Sequence, residues 1–342
     1  MNLPLPVEFL PMEAKSATAL PEGDGWQYEP KWDGFRCLAF RDGDEVALQS
    51  KSGQPLARYF PEVVERLRET APERFILDGE LMVLAENQLD FDQLLQRIHP
   101  AESRIRKLAE ETPAMFVFFD LLVEDGRLLT EQPLRERRQA LEQFVAERLG
   151  RHEWLRLSPA TSDLAVAKEW FAITNGALDG VLVKRLDAPY ESGRSGAMLK
   201  IKNLRTADCV VGGFRYASSG GAVGSLLLGL YDDEGLLHHV GFSSSIRNAE
   251  RAALTKKLEA IIEPPGFSGA KPGGPSRWST ERSAEWQPLR PELVAEVQYD
   301  HFTRRFRHGT KFLRWRPDKA PRQCTLEQVR QDARAPLDLL SF

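Results

Sequence analysis

Nine consecutive residues, Ala114-Met115-Phe116-Val117-Phe118-Phe119-Asp120-Leu121-Leu122, carry one charged side chain among them. A continuous apolar run of that length suits a buried strand, and a buried strand requires a covered sheet. Other runs fit the same sheet. Phe75-Ile76-Leu77 and Leu81-Met82-Val83 read as two strand halves joined at Asp78-Gly79-Glu80. Val181-Leu182-Val183 is a short buried strand between charged ends. Met198 to Lys202 alternates, which places Lys200 and Lys202 on one strand face. Helical patterns fall at about 56–69, with a break at Pro61, and at about 91–98, 132–148 and 163–174. The proline-rich residues 1–24 read as an irregular lead-in.

After Thr206 the texture changes. Cys209–Phe214, Gly224–Tyr231 and Leu236–Phe242 are closely spaced strand patterns with Gly-rich turns. A helical pattern follows at about 248–262, then a Pro/Gly/Ser-rich loop at 264–278 and a strand-like stretch at Leu293–Tyr299. Short strands with one helix in about 135 residues predict a small β-barrel, with the OB-fold as the leading candidate. The expected domains are 1–205 and 206–342, with the boundary near 203–207.

The 342 residues suffice for two domains with a core in each. No apolar run is long enough to span a membrane, and the N-terminus has no secretory pattern. Three widely separated cysteines, Cys37, Cys209 and Cys324, fit a reducing compartment and disfavour a disulfide framework or zinc site. A cytoplasmic monomer without membrane contact is expected. The net charge of −4 hides an asymmetry: residues 206–342 hold 19 Lys+Arg against 16 Asp+Glu, a net of +3, and the remainder a net of −7. Between 304 and 322, eight basic residues stand against Asp318 alone, a density that suits a polyanion partner.

Around residue 31 the sequence runs Glu29-Pro30-Lys31-Trp32-Asp33-Gly34-Phe35-Arg36. Strand-like residues on both sides, with Asp-Gly between, predict a hairpin or meander with Lys31 at a strand end. An isolated lysine there is ordinarily a surface residue. Four strand ends nevertheless carry Lys31 and Arg36, Glu80, Asp179, and Lys200 with Lys202. Such a mixture suits phosphoryl or nucleotidyl transfer, where carboxylates hold a divalent metal, cations neutralise phosphate and one nucleophile faces phosphorus. Neither a P-loop nor a Gly-x-Gly-x-x-Gly fingerprint is present, which leaves a covalent lysine as the simplest use of the set.

Lys31-Trp32-Asp33-Gly34-Phe35-Arg36 resembles the Lys-x-Asp-Gly-x-Arg motif of covalent nucleotidyltransferases. Ser50-Lys51-Ser52-Gly53, Asp78-Gly79-Glu80, Phe118-Phe119-Asp120, Asp179-Gly180-Val181-Leu182-Val183-Lys184, Leu199-Lys200-Ile201-Lys202 and Phe312 to Lys319 resemble its later motifs, in order. Lys51 stands where the family more often has Arg, Asp179 where it has Glu, and Met198 where Trp is frequent. With Thr206–Phe214 and Gly224–Gly229, the set is similar to ATP-dependent DNA ligases, the bacterial ligase C type in particular.

The resemblance implies an α+β chain: a twisted antiparallel-sheet adenylation domain, then an OB-fold. It implies nick sealing in duplex DNA, in DNA repair, through lysyl-AMP and DNA-adenylate, with ATP and Mg²⁺ or Mn²⁺ as cofactors. It further implies Lys31 as nucleophile, Glu29 at the adenine edge, Phe119 stacked on the base, and Arg36 and Glu80 at ribose and phosphate. Lys51 and Lys184 belong to nucleotide-binding motifs, and Lys200 and Lys202 match α-phosphate contacts. Glu80 and Asp179 are the implied metal ligands. Arg314, Arg316, Asp318 and Lys319 match the motif that orients pyrophosphate. The implied partners are nicked double-stranded DNA, ATP and repair-pathway proteins. A sister RNA ligase or capping guanylyltransferase, and a non-catalytic OB-type DNA-binding module, remain open alternatives at this level.

Overall fold

The computed structural model describes residues 1–85, 88–150, 152–173, 178–218, 220–273, 285–330 and 339–340. The chain divides into two compact units, one of Met1–Lys202 with Ala333–Phe342, the other of Asn203–Asp332.

Two sheets build the larger unit among the described residues. The first has four strands: β1 (Met12–Ala17), β2 (Trp26–Pro30), β10 (Val181–Arg185) and β11 (Gly193–Ile201), in the order β1-β11-β10-β2. The second is built on β3 (Phe35–Asp42), β4 (Glu45–Ser50), β5 (Arg74–Ala85), β7 (Ala114–Glu124) and β8 (Arg127–Leu128), in the order β4-β3-β5-β7-β8. Two short strands, β6 (Gln88–Leu89) and β9 (Leu155–Leu157), join β5 and β7. Pairing is antiparallel except for β1 with β11 and β7 with β9. The apolar run that predicted a covered strand is β7: its residues from Ala114 to Val123 are all buried. Phe116, Phe118 and Leu121 on one face meet Phe60, which caps helix Pro61–Glu69, Val63 and Leu67 from that helix, and Leu141 and Phe144 from helix Leu134–Phe144. Val117 and Met115 face the four-stranded sheet and pack with Tyr28, Val181 and Val183.

Three local expectations are corrected here. The lead-in contains β1, whose parallel partner is more than 180 residues away in sequence (Met12 pairs with Gly193), so no local pattern marks it. Asp78-Gly79-Glu80 is not a joint between strands. β5 runs through it unbroken, with an irregularity in its pairing to β7 between Asp78 and Gly79. The stretch around Lys31 is not a hairpin either, because β2 and β3 lie in different sheets. The hairpin is formed by β3 and β4 instead.

The smaller unit holds β12 (Arg205–Tyr216), β13 (Val223–Tyr231), β14 (Leu237–Ser243), β15 (Gln287–Pro288), β16 (Val294–Tyr299) and β17 (Lys311–Trp315). Their order is β14-β13-β12-β16-β17, with β15 beside β12. A bridge from Ser243 to Thr310 links the end of β14 to the start of β17 and closes the ring. Closure removes the open edges and leaves Val210, Phe214, Leu226, Leu228, Val240 and Val297 inside. This is the expected OB-fold barrel, with helix Asn248–Glu259 against it. The second half of the loop predicted at 264–278 lies partly outside the described residues. The end of the chain departs from the 206–342 assignment: Leu340 is buried in the core of the larger unit. No described helix is long and apolar enough to cross a membrane.

Candidate functional site

Lys31 follows directly after β2, where the chain leaves one sheet for the other. Its backbone is held on both sides. Its N–H donates to the Gly180 carbonyl at 3.0 Å, and its carbonyl accepts from the Asp179 N–H at 2.9 Å. Two glycines make this crossing feasible through close approach. A Cβ on Gly180, whose φ is +135°, would lie 2.0 Å from the Ile201 carbonyl oxygen. A Cβ on Gly34 would lie 2.2 Å from the carbonyl oxygen of Leu81 on β5. Gly34 is thus required by the close approach of the chain to β5 as it enters the second sheet, and turn chemistry does not explain it.

The Lys31 ammonium meets Asp179 Oδ2 at 2.5 Å, and Lys202 Nζ approaches the same oxygen at 3.4 Å. Glu80, on β5 opposite Arg36, lies within the fields of both Lys31 and Arg36. Burial nevertheless dominates and raises its carboxyl to about 7. Lys200 is half-buried, and its ammonium is pushed down by burial first, then by Lys31, Lys51 and Lys202. Lys51 is exposed and forms an ion pair with Glu13 at 2.7 Å. Seven of the predicted residues, Lys31, Arg36, Lys51, Glu80, Asp179, Lys200 and Lys202, therefore share one electrostatic neighbourhood.

A second group is enclosed more tightly. Lys184 Nζ stands 2.7 Å from Glu29 Oε2, and both side chains are almost wholly buried. Gln27 Nε2 donates to the other oxygen, Oε1, at 2.7 Å. Neither Glu29 Oε2 nor Lys184 Nζ makes a well-directed hydrogen bond, although their charges are in contact. Such orphaned buried atoms suit the polar edge of a bound ligand. Phe119 is also buried, with Lys184 Nζ and the Arg36 guanidinium each 4.5 Å from its ring centroid. Arg36 is fixed by a two-pronged pair with Asp78, both contacts at 2.5 Å. Tyr190 donates its hydroxyl to Asp78 at 2.5 Å and accepts from the Met12 N–H at 3.0 Å.

Glu80 and Asp179 suit a cation delivered with a phosphate, since Mg²⁺ commonly takes one or two carboxylates and completes its shell with phosphate oxygens and water. A protein-only cage does not fit, because no group of three candidate ligand side chains occurs among the described residues.

The four remaining predicted residues lie in the smaller unit. Arg314 Nε pairs with Glu296 at 2.5 Å. Arg316 Nη1 contacts both Asp208 oxygens at 2.9 and 3.1 Å, and its Nε and Nη2 hold Asp318. Lys319 Nζ reaches Asp208 Oδ2 at 3.3 Å. The Arg316 pairing draws the exposed Asp318 carboxyl down to about 2.

Sequence reasoning missed Gln27, Asp78, Tyr190 and Asp208 as supporting groups. Asp78 and Asp208 did leave a signal: each is an acid inside a strand whose neighbours are apolar, and a buried acid demands partners.

The family described as ATP dependent DNA ligase domain matches residues 11–202, and the ATP dependent DNA ligase C terminal region matches residues 219–319. DNA ligase C1 of Mycolicibacterium smegmatis is 46% identical, over 96% of each chain. DNA ligase C of Mycobacterium tuberculosis is 44% identical, again over 96% of each. A solved structure from a study of Lig E DNA ligases covers 89% of this chain and 100% of its own, at 16% identity and a TM-score of 0.53, a likeness of fold alone.

Proposed function

The chain belongs to the ATP-dependent DNA ligase family, and on that premise we propose that it seals nicks in duplex DNA, in DNA repair, through a lysyl-AMP formed on Lys31. The enzyme is a DNA ligase that uses ATP, built from a nucleotidyltransferase domain and an OB-fold, and it resembles the ligase C type along nearly its whole length. The observation that carries the proposal is the contact of Lys31 with Asp179 at the crossing between the sheets, ringed by Lys202, Lys200 and Glu80.

In the first step the Lys31 amine attacks the α-phosphorus of ATP. A bond from Nζ to phosphorus forms, the bond from phosphorus to the β-bridging oxygen breaks, and pyrophosphate leaves with the electron pair. The amine must surrender a proton, and Asp179 Oδ2 already accepts its hydrogen bond. Lys200 and Lys202 offset the negative charge that builds on the α-phosphate. Glu29 and Lys184 present a buried acceptor and donor to the base, and Phe119 lies under it. Glu80 and Asp179 would hold Mg²⁺ or Mn²⁺, which when bound neutralises phosphate charge. Arg316 and Lys319 act on the departing pyrophosphate. AMP then passes to the 5′-phosphate at the nick, and the 3′-hydroxyl attacks that phosphate and expels AMP.

Incubation with ATP and Mg²⁺ or Mn²⁺ adds one AMP to the intact protein by mass, and K31A abolishes the addition. Uptake of AMP by K31A would remove Lys31 as the nucleophile. Sealing of nicked DNA, compared with nicked RNA and with GTP in place of ATP, tests the substrate.

A further inference from the structure

Asp208 is the one acid on β12 among the described residues, with Ala207 and Cys209 to Phe214 buried around it. An ionised carboxylate at such a place is costly unless it is fully compensated. The compensation comes from one short segment. Arg316 Nη1 takes both carboxylate oxygens, and Lys319 Nζ takes Oδ2 as well. The backbone at residue 208 is fixed in turn. Its N–H donates to Gln328 Oε1 at 3.1 Å, and its carbonyl accepts from Gln328 Nε2 at 3.2 Å. Asp208 also sits opposite Glu296 in the β12–β16 ladder, and Glu296 holds Arg314. Two neighbouring acids on adjacent strands thus grip three cations of the segment 314–319. They differ in kind. Glu296 has one contact, to an arginine that is largely exposed, whereas Asp208 has three contacts to two cations that are mostly enclosed.

We propose that Asp208 is a positioning residue for pyrophosphate release: it fixes Arg316 and Lys319, and through them serves lysine adenylation and not nick closure. The inference rests on the reading that these two cations act on the departing pyrophosphate. Asp208 need touch no substrate. Its one carboxylate sets the Nη1 edge of Arg316 and the ammonium of Lys319 relative to each other. The Nε and Nη2 edge of Arg316 holds the exposed Asp318, which a two-pronged anion would displace. Without Asp208, Lys319 loses its carboxylate partner and Arg316 is left to the exposed Asp318, and misplacing a charged group by about 1 Å can cost up to about a hundredfold in rate.

The test separates the steps. D208N is compared with the wild-type chain for AMP transfer from labelled ATP to the protein, for pyrophosphate-driven reversal of that transfer, and for sealing of a nick that already carries 5′-AMP. The expected result is adenylation slowed tenfold or more, a raised KM for pyrophosphate in the reverse reaction, and sealing of the pre-adenylated nick within twofold of wild type. Adenylation by D208N within twofold of wild type would overturn the proposal. So would an equal loss in all three reactions with an intact melting transition, since a merely structural role moves every step alike. If D208N does not melt cooperatively, D208S, which leaves room for water beside Arg316, is measured against the same criteria. Failure of the wild-type chain itself to take up AMP would strike the lysyl-AMP reading, which is a distinguishable outcome.

Discussion

Gly180→Ala is the sharpest test of how the nucleophile is held. Gly180 has φ +135°, a region that side-chain-bearing residues avoid, and an added Cβ would lie 2.0 Å from the Ile201 carbonyl oxygen and 3.0 Å from Lys202 Cα. Both obstacles are backbone, so no rotamer change relieves them. Strained backbone of this kind costs about 1–3 kcal/mol. Overpacking against an immovable neighbour adds about 1–3 kcal/mol. Together about 2–6 kcal/mol is at stake, and the strain is delivered to the carbonyl that binds the Lys31 N–H. For a unit of roughly 200 residues, the lower bound corresponds to a fall in melting temperature of about 4–8 °C. Gly43→Ala is the control. Gly43 also has positive φ, +62°, but nothing lies within 4 Å of its Cβ position, so only the backbone term applies. The assay is calorimetric melting of both variants, with AMP uptake measured below the transition. G180A is expected to melt well below G43A and to take up AMP at least tenfold more slowly than wild type. If G180A melted with G43A and adenylated normally, the reasoning about the sheet crossing would be wrong.

The Glu80 carboxyl, raised chiefly by burial to about 7, makes stability depend on pH. Between its unfolded value near 4.5 and about 7 the folded chain keeps a proton that the unfolded chain has lost. Stability therefore falls as pH rises through that window, by at most about 3 kcal/mol. E80Q should remove that part of the slope in urea titrations at pH 4.5, 6 and 8, and parallel curves for the two chains would refute it. The basic stretch divides into two kinds of residue: Arg314, Arg316 and Lys319 are tied to acids, whereas Arg304, Arg305 and Lys311 are exposed. Neutralising the latter three should weaken nicked-duplex binding and reduce the slope of log K against log salt by up to about 3. An unchanged slope would make them an ordinary solvated face.

The relation between sequence and site is clearest at individual residues. Lys31, Glu80, Phe119, Asp179 and Lys200 can be proposed from the sequence because a fixed order of short motifs restricts chemistry more than any one motif does. β7 was legible because a nine-residue apolar run has few alternatives. The hairpin around Lys31 was misread because Asp33-Gly34 carries turn chemistry, while the reason for the glycine lies across the fold, at Leu81. Asp78-Gly79-Glu80 was misread likewise: Gly79 is required where a Cβ would meet Phe116 and the Val117 carbonyl within 2.6 Å.

The sequence by itself determined which chemical groups are present, their order, and most of the strands and helices that carry them, since these follow from local periodicity and residue type. Only the tertiary structure decided who meets whom. Lys31 and Asp179 are 148 residues apart, as are Arg316 and Asp208 by 108. Such pairs depend on sheet register and on which sheet a strand joins, and burial then turns an ordinary carboxylate such as Glu80 or Asp208 into a group that must be matched by a cation, a proton or a ligand.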